Sequence, residues 1–153
     1  MKITIDQIKK VREKTGGGVM DCRRALEESK GDKKKAVELL KKWGIEKSKK
    51  KEGRETKSGI VSSYIHGEGK IGVLVELLCE TDFVARTDEF KNLAHELCLQ
   101  ISSMTPKDVK TLLNQEYIRE PGVKIADLVK QTIGKLGENI TVSRFARMEL
   151  GEK

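Results

Sequence analysis

Apolar residues recur along this chain with two different periods, and the change falls near residue 58. Up to Gly44 they return every three or four positions, the spacing of a helix with one buried face. Thr4 and Gln7 stand at capping-box spacing, and Ile5, Ile8 and Val11 then form a stripe that stops at Thr15-Gly16-Gly17-Gly18. A second stripe, Cys22, Ala25, Leu26 and Ser29, closes at Gly31, where a positive φ costs little. Asp32 is placed to cap a third helix, which carries Ala36, Val37, Leu40 and Trp43 and is expected to end at Gly44. Residues 1–44 thus predict a minimal three-helix bundle, too small to enclose a substrate and suited to offering a face to another protein.

Beyond residue 58 the pattern changes to that of strands. Ile60 to His66 alternates, and Ile71 to Cys79 is apolar on both sides. Between them Gly67-Glu68-Gly69-Lys70, with Ile71-Gly72, spells a formal dinucleotide fingerprint. Such a loop must open a helix whose first turn meets a pyrophosphate, whereas these glycines lead into another strand and read as a hairpin turn. After CETDFVAR (residues 79–86) comes a helix with Phe90, Leu93, Ala94, Leu97, Cys98, Ile101 and Met104 on one face and Pro106 beyond its end. A further helix carries Ile125, Leu128, Val129, Thr132, Ile133 and Leu136, stops at Gly137, and gives way to a final strand from Ile140 to about Leu150. The order strand, strand, helix, helix, strand predicts an α+β core domain over residues 59–153, a small antiparallel sheet with helices on one face. In the strand 71–79, Ile71, Val73, Val75 and Leu77 point one way and Leu74 and Leu78 the other. Two helices can cover only one of these faces. The uncovered one is expected to pair with a second copy of the chain as a homodimer, unless the segment from Thr105 to Lys124 folds over it.

Composition narrows the function classes. The chain has 153 residues, 36% of them charged and 4% aromatic, so its core must come from Ile, Leu, Val and Ala. No apolar stretch is long enough to span a bilayer and Met1-Lys2-Ile3-Thr4 lacks the apolar region of a secretory signal, which leads to the expectation of a cytoplasmic protein with no membrane partner. Residues 1–58 carry 19 Lys and Arg against 10 Asp and Glu, and residues 59–153 carry 12 against 14, a split of +9 and −2. Residues 45–58, IEKSKKKEGRETKS, form a basic linker that could touch phosphates. It lacks an aromatic to stack a base, so it reads as a solvated tether with no direct nucleic-acid contact expected. Cys22, Cys79 and Cys98 are odd in number, widely spaced and set in apolar patterns, the signature of buried thiols. His66 and His95 stand alone. No nucleophile with a base, no paired carboxylates in a cleft and no metal cluster is legible, so no catalytic residue, metal or cofactor is expected and binding is the activity.

The stretch CETDFVAR is unusual, because an acid and a large aromatic stand side by side where a chain leaves a buried strand. On residues alone, Asp82 reads as a helix cap and Phe83 as a core staple, or the pair faces outward. The segments KKVREKTGGGVMDCRRALEESKGDKKKAVELLKKWG, GVLVELLCETDFVAR and GKLGENITVSRF together, in order and over nearly the whole chain, resemble the bacterial elongation factor Ts family in its short form. The resemblance implies a guanine-nucleotide exchange factor that binds elongation factor Tu in its GDP-bound and nucleotide-free states. It implies a bundle similar to ubiquitin-associated domains that docks on the GTPase through Arg12, Val19, Met20 and Asp21. It also implies that Phe83 wedges into the GTPase while Asp82 disturbs its magnesium site, with Thr81 and Val84 shaping the turn that presents them. Leu78 stands where the family usually has Asn, and Gly17 and Val19 where Ala and Met are commoner. KDVKTLLNQEYIREPGVK (107–124) replaces a long helical insertion, and a second copy of the core fold is missing. Two other classes fit the residues: a basic RNA- or ribosome-binding protein, and a scaffold whose bundle holds a peptide or ubiquitin-like protein.

Overall fold

The computed structural model describes residues 2–152; residues 1 and 153, the outer ends of the expected bundle and core, lie outside the described residues. Helix α1 (Ile5–Thr15) opens on the capping box. Gln7 N donates to Thr4 Oγ1 at 3.2 Å and Thr4 N donates to Gln7 Oε1 at 2.9 Å, which satisfies two helix-end donors. Helix α2 spans Val19–Glu28 and α3 spans Lys33–Lys49, the latter capped by Asp32, whose carboxylate accepts from Lys34 N and Lys35 N. The three helices bury Val11, Cys22, Ala25, Leu26 and Ala36, with Ile3, Ile8, Val37, Leu39, Leu40 and Trp43 packed around them. The Arg24 guanidinium covers the Trp43 ring at 4.5 Å from its centroid, a cation–π contact that roofs this small core.

Two expectations for this region fail. Ile5 is 72% exposed, and Ile3, which lies before the helix, packs on the core in its place. Helix α3 runs through Gly44 to Lys49, so the first five residues of the expected linker are helical and Ser48 is buried, its hydroxyl donating to Ile45 O at 2.6 Å. Glycine inside a helix costs about 1 kcal/mol relative to alanine. Helix packing against this segment, described below, holds it helical in spite of that cost. Only Lys50–Lys57 remain as turn and extended chain before the sheet.

Strands β1 (Ser58–His66), β2 (Ile71–Cys79) and β3 (Ile140–Glu149) form an antiparallel three-stranded sheet in the order β1-β2-β3. The Gly67–Lys70 segment is the hairpin turn between the first two. Side chains alternate faces along a strand, so Ile140 and Val142 should oppose Phe145 and Arg147. A bulge resolves the conflict: Leu77 pairs with Val142 and Glu76 with Arg144, leaving Ser143 extra, and the parity of β3 switches there. Val142 and Phe145 can then both face the helices.

Helix α4 (Asp82–Ala85) is a single turn after β2. Helix α5 (Asp88–Met104) lies across β1 and β2, and α6 (Val109–Asn114) and α7 (Ile125–Leu136) complete the layer. The core is Val73, Val75, Leu77 and Cys79 from β2 against Phe90, Leu93, Leu97 and Ile101 from α5 and Ile125, Val129 and Ile133 from α7. Met104, the last member of the expected stripe, is exposed. Helix α6 has no counterpart in the sequence reading, since six residues are too few for a helical period to show. Its Leu112 is fully buried in the same core. The segment 105–124 therefore packs on the helical side and does not fold over the outer sheet face, where Val61, Ile65, Leu74 and Met148 stay exposed. All three cysteines are buried and free. Among the described residues no helix is long and apolar enough to cross a membrane.

A polar knot fixes the connection into α7. The Tyr117 hydroxyl donates to Glu96 Oε2 at 2.6 Å, Arg119 Nε pairs with the same oxygen at 2.9 Å, and Ile118 N donates to Gln100 Oε1 at 3.0 Å. Burial, then the bond to Glu96, pushes the Tyr117 pKa upward, so the phenol remains a donor through neutral and moderately basic pH. Tyr117→Phe should lower stability by about 1–2 kcal/mol, the cost of leaving a buried acceptor short of a donor. Urea unfolding measures this, and an unchanged midpoint would remove the knot from the interactions that hold the fold.

Candidate functional site

The CETDFVAR stretch folds as a turn pinned from both sides. Thr81, extended at φ −132° and ψ 154°, is the N-cap of α4, and its hydroxyl accepts from Val84 N at 3.3 Å. Thr81 fills the capping role that the residues alone suggested for Asp82. At the far end Thr87 caps α5, and its hydroxyl donates to Val84 O at 2.7 Å. Cys79 Sγ donates to Thr81 O at 3.1 Å; burial pushes this thiol's pKa up, which keeps it protonated and able to donate. With successive residues 100° apart, four residues make one turn with two sides. Val84 and Ala85 occupy the inner side, each only 4% exposed. Asp82 and Phe83 occupy the outer side, and Phe83 is 80% exposed.

The staple reading of Phe83 is thereby corrected, because the side chain packs on nothing in the core. Val84 is also placed differently from the other three residues of its group: it anchors the turn from within and has no surface to offer a partner.

Three residues not singled out from the sequence organise the turn. The Glu138 carboxylate accepts from Thr81 N at 3.0 Å and from Thr81 Oγ1 at 2.7 Å. In the opposite sense, the Glu80 carboxylate accepts from Asn139 N at 2.9 Å, and Asn139 Nδ2 donates to Arg54 O at 2.8 Å. Each chain segment thus contributes a carboxylate that takes up the other's backbone N–H, closing the end of β2 onto the start of β3. Charge-assisted bonds of this kind are roughly twice as strong as neutral ones. The available signal was the acid immediately after Gly137, the residue that ends α7 with φ 75°.

The proposed docking residues lie elsewhere. Val19 and Met20 open α2 with their side chains out, Met20 at 73% exposure, and Arg12 is exposed in the last turn of α1. Asp21 is engaged: Lys47 Nζ donates to its Oδ2 at 2.7 Å, tying α2 to α3. A cleft of about 400 Å³ is lined by the Gly16–Gly18 loop, α3 and α7, with Lys14, Lys41, Lys47 and Lys135 around it. Burial lowers the pKa of the Lys135 ammonium, opposed by Glu89 and reinforced by Lys41. Lys41 pairs with Glu120 across this seam and Lys47 with Asp21. Among the described residues no cluster of His, Cys, Asp and Glu is arranged to hold a metal ion.

Comparison with known proteins gives this arrangement a family. The family model for elongation factor TS matches residues 80–153, the stretch that begins at Glu80 and runs through α5, α7 and β3. The chain is 43% identical over 196 aligned positions to elongation factor Ts of Thermotoga neapolitana, covering the whole of both chains. It is 41% identical over 197 positions to that of Fervidobacterium nodosum, with 99% of this chain and all of the relative covered. To that of Thermotoga maritima it is 43% identical over 195 positions, with 99% of this chain and 98% of the relative covered. These alignments are longer than 153 residues, so part of each relative has no counterpart here. With likeness at this level from end to end, the chain belongs to the elongation factor Ts family of translation elongation factors.

Proposed function

We propose that this protein is a guanine-nucleotide exchange factor that binds elongation factor Tu with GDP, promotes GDP release, and stays on the nucleotide-free form until nucleotide returns. The observation that carries the reading is Phe83, an apolar side chain held 80% exposed on a turn anchored at both ends. An exposed aromatic contributes little to its own fold, and a rigid mount for one is suited to entering a crevice of a partner. Asp82 accompanies it on the outer side of the turn. A GTPase holds its nucleotide through phosphate contacts and a bound Mg²⁺. A wedge with an adjacent carboxylate placed near that ion disturbs its water shell and the groups that order it, without competing for the base. Thr81 and Val84 act from behind, as cap and anchor. No chemical step on a substrate is involved, and the exchange factor needs no cofactor of its own.

The coupling is reciprocal: whatever factor the protein takes off nucleotide affinity, nucleotide takes off its affinity for the GTPase. Speeding release about 10⁴-fold requires about 5.5 kcal/mol off the barrier. Burying one Phe supplies about 1.5–3 kcal/mol, so the remainder must come from a second contact. We assign that contact to the bundle, through Val19 and Met20 with Arg12 and Asp21 at their margin. The core domain carries the wedge and pairs with a second copy of the chain through its outer sheet face. Val61, Ile65, Leu74 and Met148 make that face apolar, and a two-fold axis buries the same patch on both copies.

Phe83→Ala should leave thermal stability within about 0.5 kcal/mol of the parent, as expected for a surface site. The same variant should slow catalysed GDP release about 10- to 100-fold. Stopped-flow release of fluorescent GDP from elongation factor Tu decides, and a variant that unfolds yet keeps full activity per folded molecule would sink the wedge. If the parent protein fails to accelerate release and binds RNA in a salt-sensitive way, the RNA-binding reading replaces this one.

Because α3 continues past residue 44 against α7, docking is better tested by substitution than by removing residues 1–44. Met20→Asp should raise the Kd for nucleotide-free elongation factor Tu about tenfold or more through an uncompensated charge at the contact. An unchanged Kd would take docking away from this end of α2.

Light scattering at micromolar concentration should give about twice the 17.2 kDa chain mass, and Leu74→Glu should return it to one chain. A single-chain mass that persists on concentration would rule the dimer out.

A further inference from the structure

Helices α3 and α7 cross at a point where neither has a side chain. A Cβ built on Gly134 would lie 2.4 Å from the Gly44 carbonyl oxygen and 2.6 Å from its Cα, distances at which the backbones must move apart. The reverse is not true. A Cβ on Gly44 would meet nothing nearer than 3.7 Å, ordinary contact with the backbone of Gln131. The crossing is therefore set by one glycine on α7, although both residues sit inside regular helix.

This helix and the residues that directly follow it reach both proposed contact regions. One residue past the crossing, the Lys135 stem lies against the loop before α2, with its Cε 3.0 Å from where a Gly16 Cβ would be. Three residues further on, Glu138 holds Thr81 by two hydrogen bonds. The end of α7 thus braces the docking end and the wedge turn at once, and the Lys41–Glu120 pair closes the seam along α3.

We infer that Gly134 is a positioning residue for nucleotide exchange: it sets the α3–α7 spacing, and thereby the span between the Met20 end of α2 and Phe83. This inference rests on the exchange reading above. Two contacts joined by a slack tether meet at a lower effective concentration and in many orientations, so less of the docking free energy drives the wedge in. Joined by a fixed span, docking delivers Phe83 at high effective concentration in one orientation, and the binding energy of the remote contact acts on the step that loosens nucleotide. A displacement of about 1 Å at such a joint can cost about a hundredfold in rate.

The test compares Gly134→Ala with Gly44→Ala in the full chain. Each places alanine for glycine within a helix, so propensity changes alike. Spin labels on Lys10→Cys and Lys91→Cys, diluted with unlabelled chain, report the span; the three native thiols are buried with raised pKa values and react slowly. Gly134→Ala should lengthen or broaden the label distance and lower the plateau rate of GDP release about 10- to 100-fold with little change in the half-saturating concentration. Gly44→Ala should match the parent in both. Lys41→Glu supplies a second route, since it opposes Glu120 across the seam; it should lower the plateau rate, and adding Glu120→Lys should restore it.

A Gly134→Ala protein with an altered span and parental exchange would overturn the inference, as would an unaltered span. If Gly134→Ala fails to fold, the failure of Glu120→Lys to rescue Lys41→Glu would overturn it instead. Failure of the exchange reading looks different: the parent protein itself would then leave GDP release unchanged.

Discussion

The arrangement of this molecule depends on the backbone contact between α3 and α7. Two helix axes usually lie 8–10 Å apart, a distance set by the side chains between them. At Gly44 and Gly134 those side chains are missing, and the Gly134 position comes within 2.4 Å, measured to a virtual Cβ, of the Gly44 carbonyl. The packing of α3 on α7 that joins the basic bundle to the helical layer of the core is centred on that approach. Along the same length of α3, the helix continues through Gly44, Ser48 is buried and Lys41 reaches Glu120.

The turn that carries Phe83 shows the opposite economy. Its backbone donors and carbonyls are taken up by Glu138, Thr87 and Cys79, and its apolar inner side joins the core. Its outer side carries an aromatic that gains nothing from the fold. Phe83, at 80% exposure, breaks the rule that large apolar side chains are buried, the kind of local exception that is expected where a surface serves a function. Holding such a residue still requires bonds that do not depend on it. The reciprocal carboxylates of Glu80 and Glu138 meet this need, because they act on the strand ends to which the turn is attached.

Charge and apolar surface are divided between the ends of the molecule. Residues 1–58 carry the whole positive excess, +9 against −2 for the rest, whereas the turn is flanked by Glu80, Asp82 and Glu138. Charge governs encounter and orientation more than final affinity. Under the exchange-factor proposal, the basic bundle and the acidic surroundings of Phe83 would therefore orient the protein on a partner before either makes close contact. The outer sheet face, with its exposed Val61, Ile65, Leu74 and Met148, is a third surface on the far side of the sheet from the helices.

The sequence by itself determined what is local. The Thr4 and Asp32 caps, the hairpin at Gly67–Lys70, the period of α5 and the α+β order are consequences of neighbouring residues, and each lies where the pattern put it. The family resemblance drew attention to Phe83, but residues alone left it between core and surface, since an aromatic one turn from a strand suits either. Tertiary structure decided that question, through the burial of Val84 and Ala85 on the opposite side of the turn. It also decided the end of α3, the parity switch of β3 at Ser143 and the bonds from Glu138 to Thr81, 57 residues apart in the chain. In each case the partner is distant in sequence. A glycine reads as a helix end until a second glycine, 90 positions away, approaches its backbone.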